Sequence, residues 1–207
     1  WAALLLLSFS GLTVSNGKVL RVNLISPVNN PTSGTELWTI DTTTLARSMI
    51  AEVNSGAASG VTGMFGVKDG KVIFLGNDGV TGNELWSTDG TTPGTLLFKD
   101  TFAGTTSSMY GSPSRVSSGF AANDRIYFPV ASPGGFPRIW VTDGTTLGTN
   151  MIVDSPAIWE NSQSFGTERY PIGLIGGKIL LKNFDATYGH ELWTFDPVAN
   201  AVAILKD

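Results

Sequence analysis

Glu84-Leu85-Trp86-Ser87-Thr88-Asp89 has three relatives elsewhere in the chain: Glu36-Leu37-Trp38-Thr39-Ile40-Asp41, Arg138-Ile139-Trp140-Val141-Thr142-Asp143 and Glu191-Leu192-Trp193-Thr194-Phe195-Asp196. Their tryptophans are 48, 54 and 53 residues apart. Self-similarity at such a period marks a repeat architecture. A residue at a repeated position serves first to build the repeat. Function is to be sought where the repeat is broken.

A second landmark runs in step with the first. Asn16-Gly17-Lys18-Val19-Leu20 aligns with Asp69-Gly70-Lys71-Val72-Ile73, with Asn123-Asp124-Arg125-Ile126-Tyr127 and with Gly176-Gly177-Lys178-Ile179-Leu180. Two apolar runs separated by such a dipeptide read as a hairpin, because tight hairpin turns need positive φ at their central residues. The second unit displays every part. Strand A covers 62–67, a turn 68–70, strand B 71–75, a Gly/Asn/Asp-rich loop 76–83, strand C 84–88, an Asp-Gly-Thr turn 89–95 and strand D 96–99. No window holds apolar residues at helical spacing over three turns.

Four antiparallel strands repeated about every 53 residues are the grammar of a β-propeller blade. The predicted fold is all-β, a propeller of four four-stranded antiparallel blades forming one domain over 1–207. The repeats fall at approximately 1–53, 54–100, 101–154 and 155–207. The alternative is an open four-blade segment completed by another chain, since no strand is left over for exchange between the chain ends. In the first unit, strand A is expected at about 5–14. Its basic landmark lies 20 residues before the tryptophan, against 15 in the other units, which predicts five extra residues in a B–C loop around 26–35.

A single sheet cannot bury both faces, so blades must stack. Trp38, Trp86, Trp140 and Trp193 are read as core between blades. Each contributes up to about 4–6 kcal/mol from buried aromatic surface. Asp89-Gly90 and Asp143-Gly144 are read as turn formers, the carboxylate accepting backbone N–H bonds and glycine supplying positive φ. Calcium is the competing use of these aspartates. It is not favoured, because each turn brings one carboxylate and the first and fourth units lose the glycine. No cofactor is expected.

Composition narrows the function. Charged residues make up 14% of 207 residues, net charge is −4 and there is no Lys/Arg run, which disfavours nucleic-acid binding. The absence of cysteine removes disulfides, thiol nucleophiles and Cys-ligated zinc. No N-glycosylation sequon is usable, since Asn30-Pro31-Thr32 is blocked by its proline. The apolar start, Trp1–Ser10, is too short to span a bilayer and reads as a buried strand or the remnant of a signal peptide.

The consensus Gly-x-Glu-Leu-Trp-x-x-Asp-Gly-Thr-x-x-Gly-Thr-x-x-x-Lys-Asp, best kept at 82–100 and next at 138–154, resembles the ELWxxDGT repeat family. The units at 35–41 and 190–196 keep Glu-Leu-Trp and the aspartate but lose Gly-Thr. The resemblance implies a secreted or cell-surface protein built as a propeller. It implies no activity for the repeat itself.

Little chemistry stands outside the repeat. His190 is the one histidine, placed in a variable loop position before strand C, and cannot by itself build a His-rich zinc site. Most acids are bound to the repeat, which leaves Glu52, Asp78, Glu160, Glu168 and Asp185 as unrepeated carboxylates for any glycosidase-like pair. Catalysis is therefore not expected, and no catalytic residue is assigned. The A–B and C–D turns of a blade share one end, and the B–C loops and D–A crossovers the other. Irregularity is expected at the second end. Tyr110, Trp159 and Tyr170 in the crossovers are the candidate binding residues, suited to glycan stacking or protein contact. The sequence thus points to a non-catalytic extracellular module for adhesion, surface display or assembly, with other protein chains or further copies of itself as partners. A carbohydrate-binding or carbohydrate-acting propeller is the alternative.

Overall fold

In the computed structural model, the structure describes residues 8–10, 14–15, 18–19, 23–101, 119–131, 137–153, 171–185, 189–196, 198–199 and 201–206. The strands in chain order begin with β1 (Ser8–Ser10), β2 (Val14–Ser15), β3 (Lys18–Val19), β4 (Asn23–Asn30), β5 (Gly34–Asp41) and β6 (Arg47–Ala51). Next come β7 (Val61–Lys68), β8 (Lys71–Asn77), β9 (Asn83–Thr88) and β10 (Leu96–Lys99). They are followed by β11 (Phe120–Ala122), β12 (Arg125–Ala131), β13 (Pro137–Thr142) and β14 (Asn150–Val153). The last are β15 (Pro171–Ile175), β16 (Lys178–Asp185), β17 (Gly189–Asp196) and β18 (Ala201–Lys206).

These form four four-stranded antiparallel sheets, ordered β1-β4-β5-β6, β7-β8-β9-β10, β11-β12-β13-β14 and β15-β16-β17-β18, and one short β2-β3 ladder. The chain is thus an all-β array of four propeller blades. By backbone contacts it groups into two compact units, Trp1–Ser108 with the first two blades and Met109–Asp207 with the last two.

The turns joining the first two strands of blades 2, 3 and 4 follow directly from their residues. Asp69-Gly70, Asn123-Asp124 and Gly176-Gly177 all have positive φ at both positions. That is the type I′ geometry whose twist matches the flanking strands, and Asn, Asp and Gly are the residues that tolerate it.

Blade 1 departs from the sequence-based register. Lys18 does not start its second strand. It lies in β3, paired to β2 as Ser15 to Lys18. The second strand is β4, starting at Asn23, which stands 15 residues before Trp38 as Lys71 does before Trp86. The five extra residues therefore sit in the connection between β1 and β4. They are not in a loop around 26–35, where β4 and β5 instead pair continuously from Asn23–Asp41 to Asn30–Gly34. Pro27 and Asn29-Asn30-Pro31 gave that segment the look of a loop. Pro27 nevertheless takes its place in that ladder, opposite Leu37. The first strand itself is Ser8–Ser10 within the expected 5–14, and Val14 belongs to β2. The irregularity of blade 1 consequently lies at the end that carries the A–B and C–D turns.

Pleating gives each blade two faces. In blade 2 the cross-strand partners Met64–Phe74 and Phe74–Trp86, with Val72 opposite Thr88, share the tryptophan face. Leu85, opposite Leu75, lies on the other. The core of the first unit joins the leucine face of blade 1 (Ile25, Leu37) to the tryptophan face of blade 2 (Met64, Val72, Phe74), with Trp86 packed against it. The second unit repeats the arrangement. Ile139 of blade 3, at the leucine position, meets Ile179, Leu181 and Phe195 of blade 4, with Trp193 packed against them. Within each unit, the leucine position of the first blade thus faces the second, and the tryptophan of the second blade faces the first.

Candidate functional site

The turn after strand C in blades 2 and 3 is built twice from the same atoms. Asp89 Oδ1 accepts the Thr91 N–H at 2.9 Å and the Thr91 hydroxyl at 2.7 Å. Asp143 Oδ1 accepts the same pair from Thr145 at 2.9 and 2.7 Å. Gly90 and Gly144 follow with φ near 90° (93° and 91°). Their N–H groups donate to Thr88 Oγ1 and Thr142 Oγ1, each at 3.0 Å. The Thr91 hydroxyl in turn receives the Gly94 N–H at 3.1 Å, and Thr145 receives that of Gly148 at 2.9 Å. A Cβ on Gly94 or Gly148 would collide with the carboxylate of Asp89 or Asp143. The second glycine of the motif is required by this close approach. The bonds from Thr91 and Thr145 hold both carboxyls below the ordinary aspartate range.

Blades 1 and 4 keep only the aspartate. Asp41 Oδ1 accepts the N–H groups of Thr43 and Thr44 at 2.8 and 3.0 Å. Asp196 Oδ1 accepts those of Ala199 and Val198, each at 3.0 Å, which likewise lowers its pKa. In every blade this carboxylate is occupied within its own turn. Among the described residues no three His, Asp or Glu side chains come together as a metal site.

The glutamate before Leu-Trp has a different task. Glu36 is buried, and its carboxylate accepts Val53 N–H at 2.7 Å, Gly60 N–H at 2.8 Å and Asn54 N–H at 3.4 Å. These belong to the crossover from blade 1 to blade 2, which is further tied by Thr35 N–H to Ser59 Oγ at 3.1 Å and Asn77 N–H to the Gly60 carbonyl at 2.8 Å. Burial pushes the Glu36 carboxyl up, against the opposing effect of the three N–H donors. Glu84, also buried, receives the backbone N–H and the hydroxyl of Thr101, each at 2.5 Å. Both glutamates thus grip the chain 17 residues downstream, at the exit of strand D.

Trp86 lies against Phe74 with ring centroids 6.4 Å apart and planes tilted by 35°. The indole N–H groups of Trp38, Trp86, Trp140 and Trp193 are all buried without a hydrogen-bond partner among the described residues. His190 is not in a loop. It lies in β17, opposite Phe184, because the ladder to β16 runs two pairs beyond the Glu-Leu-Trp segment. Asp78, one of the unrepeated acids, closes the turn between β8 and β9 by accepting Val80 N–H at 2.9 Å, Thr81 N–H at 2.7 Å and the Thr81 hydroxyl at 2.9 Å. Burial works to raise its pKa, but the bonds from Thr81 and Val80 outweigh it and the net shift is downward. Glu52, another, accepts Gly56 N–H at 3.1 Å. Tyr110, Trp159 and Tyr170, with Glu160 and Glu168, lie outside the described residues.

Two sets of residues escaped the sequence reading. Thr88–Thr95 and Thr142–Thr149 are buried hydroxyl pairs, and the glutamates are crossover clamps. The first had a signal. A threonine stands two residues after the tryptophan only in the units that keep Gly-Thr further on, where blades 1 and 4 have Ile40 and Phe195. The second had none, because its partners are mostly backbone groups far along the chain.

No family model and no curated protein matches the chain. Among solved structures it is similar to puromycin hydrolase, as a mutant complexed with PGG (TM-score 0.54) and as the enzyme itself (TM-score 0.53), with 14% identity in both cases. Each match covers 90% of this chain but 27% of that one, so the chain spans about a quarter of its neighbour's length. The β-propeller domain of the Trilobed protease from Pyrococcus furiosus matches at TM-score 0.39 and 12% identity, over 93% of this chain and 67% of that one. At these identities the likeness is one of fold.

Proposed function

We propose that the chain is a non-catalytic repeat module of a secreted or cell-surface protein, serving adhesion, display or assembly with other protein chains. The observation that carries this reading is the use made of the motif carboxylates. Glu36 and Glu84 hold crossovers, and Asp41, Asp89, Asp143 and Asp196 close their own turns. Acids engaged by the donors of their own crossovers and turns build a scaffold and are poorly placed to move protons on a substrate. The resemblance of the repeat to the ELWxxDGT family supports the extracellular setting.

Two measurements test it. A membrane-impermeant biotin reagent applied to intact producing cells should label the full-length protein. A panel of chromogenic glycosides should show no turnover above buffer. Turnover that disappears on Glu160→Gln or Glu168→Gln would establish the carbohydrate-acting alternative, and labelling only after lysis would remove the surface assignment.

A further inference from the structure

We propose that Asp69-Gly70 is a site of spontaneous isoaspartate formation, and that the fold guards the other three Asp-Gly pairs of the chain against the same reaction. The proposal goes beyond the adhesion reading and does not rest on it, since it concerns a covalent change in the chain itself.

Asp-Gly occurs at 69–70, 78–79, 89–90 and 143–144. Each pair carries both groups that the reaction needs. The glycine nitrogen attacks Cγ of the protonated aspartate, an N–Cγ bond forms, and the carboxyl hydroxyl leaves with the nitrogen's proton as water. The product is a five-membered succinimide, which water then opens. Addition of water at Cγ restores aspartate. Addition at the main-chain carbonyl carbon breaks its bond to nitrogen and leaves the chain running through Cγ, as isoaspartate. The net composition is unchanged. Glycine is the favoured neighbour because no Cβ shields its nitrogen.

Ring closure needs a glycine N–H that is not held elsewhere and a carboxyl that can swing onto it. Three pairs fail both conditions. Gly90 and Gly144 donate their N–H groups to Thr88 Oγ1 and Thr142 Oγ1, each at 3.0 Å, and Gly79 donates to Asn77 Oδ1 at 2.7 Å. Asp89 Oδ1 and Asp143 Oδ1 are each held by the N–H and hydroxyl of the threonine two residues on. Asp78 Oδ1 is held by Val80 N–H and by the N–H and hydroxyl of Thr81. At Gly79 the space is also taken, since a Cβ there would lie 3.1 Å from Asn54 Oδ1.

Asp69-Gly70 meets both conditions. It forms the centre of the turn between β7 and β8, with φ of 50° and 74°. Such a two-residue turn pairs its flanking residues, here Lys68 with Lys71, and engages neither central N–H. The Asp69 side chain is 68% exposed. Lys68 Nζ donates to its Oδ1 at 2.6 Å, and with Asp69 at the surface such a pair is a weak tether. A Cβ on Gly70 would meet nothing within 4 Å, so the space a ring would fill is open. Isoaspartate lengthens the main chain by one carbon in a turn that has room for two residues in a fixed geometry. The pairs nearest the turn, Lys68–Lys71 and Val67–Val72, would open first.

The experiment ages the purified full chain in mildly acidic buffer, well below its unfolding temperature. Isoaspartate is then counted at each pair by peptide mapping with isoaspartyl methyltransferase labelling. The expected result is at least about tenfold more label at 69–70 than at any of the other three pairs. The Lys71 and Val72 amides of the aged chain should exchange hydrogen faster than those of the fresh chain. A parallel sample in denaturant should lose the difference, because all four pairs then present the same two groups. Equal labelling of the four pairs in the folded chain overturns the proposal, and so does the absence of label at 69–70. A preference for 69–70 that survives in denaturant also overturns it, since the cause would then be local sequence. None of these outcomes bears on the surface-labelling or glycoside measurements.

Discussion

Thr88 and Thr95 face each other hydroxyl to hydroxyl at 2.7 Å in the buried base of a turn, and Thr142 and Thr149 reproduce the pair at the same distance. Each pair is anchored on both sides. Thr95 Oγ1 reaches the Thr91 carbonyl at 2.8 Å, and Thr149 Oγ1 the Thr145 carbonyl at 2.6 Å. Thr88 and Thr142 receive the following glycine N–H. The Asp-Gly-Thr-x-x-Gly-Thr segment is a closed hydrogen-bond circuit, and its residues are explained by one another.

Thr88→Val keeps the shape of this circuit and removes one hydroxyl, leaving the Gly90 N–H without its acceptor. An unmet buried donor costs about 1–3 kcal/mol. Thr88→Val should lower the chemical unfolding midpoint of the first unit by a corresponding amount. Ile40→Thr in blade 1, which lacks the partner threonine, should bring no gain.

Gly94→Ala forces a methyl group into the Asp89 carboxylate. The expected cost is about 1–3 kcal/mol, the range for overpacked sites. In an Asp89→Ala background the same substitution should cost much less, since the obstructing group is gone. A double-mutant cycle measures the difference, and strictly additive effects would contradict the geometry.

Glu36→Ala removes the acceptor of two well-aligned crossover N–H groups in a buried setting, Val53 and Gly60. A loss of about 2–5 kcal/mol is expected, with faster hydrogen exchange at those two amides. Glu36→Gln should recover part of it, because one amide oxygen still accepts while its NH2 group faces donors.

The turn aspartates set the sign of the acid response. Asp89, Asp143 and Asp196 have folded pKa values below their ordinary 3.8, so the stability they contribute is complete above that value. It is lost as pH falls through the lower folded values. Glu36 acts oppositely. Its folded pKa lies above 4.5, so its ionisation costs stability as pH rises past 4.5, and protonation relieves that cost. Unfolding midpoints should therefore drop below pH 3.8, and Asp89→Asn should flatten that drop. A steeper loss in the variant would reverse the assignment.

The repeat was legible because its markers are local. Tight turns demand Asn, Asp or Gly, and the bounds of 62–67, 71–75, 84–88 and 96–99 came within two residues of β7, β8, β9 and β10. The misplaced strand of blade 1 shows where local reading stops. Asn16-Gly17-Lys18 has a hairpin's chemistry, and β2 with β3 does form a small ladder. Nothing in that tripeptide says that the blade's own second strand starts five residues later, which is decided by pairing with Gly34–Asp41. The clamps of Glu36 and Glu84 were invisible for a related reason. Apart from the Thr101 hydroxyl, their partners are main-chain N–H groups, which every residue but proline carries.

By itself, then, the sequence determined the repeat, the four blades, the turn chemistry and the paucity of candidate catalytic groups. These depend on φ preferences and on side-chain alternation within a few residues. Tertiary structure alone decided which faces meet. Leu37 and Leu192 occupy the same place in the same motif, yet one is sealed and the other is 40% exposed. Burial is a property of what lies against a sheet, and a strand's own residues do not encode its neighbour.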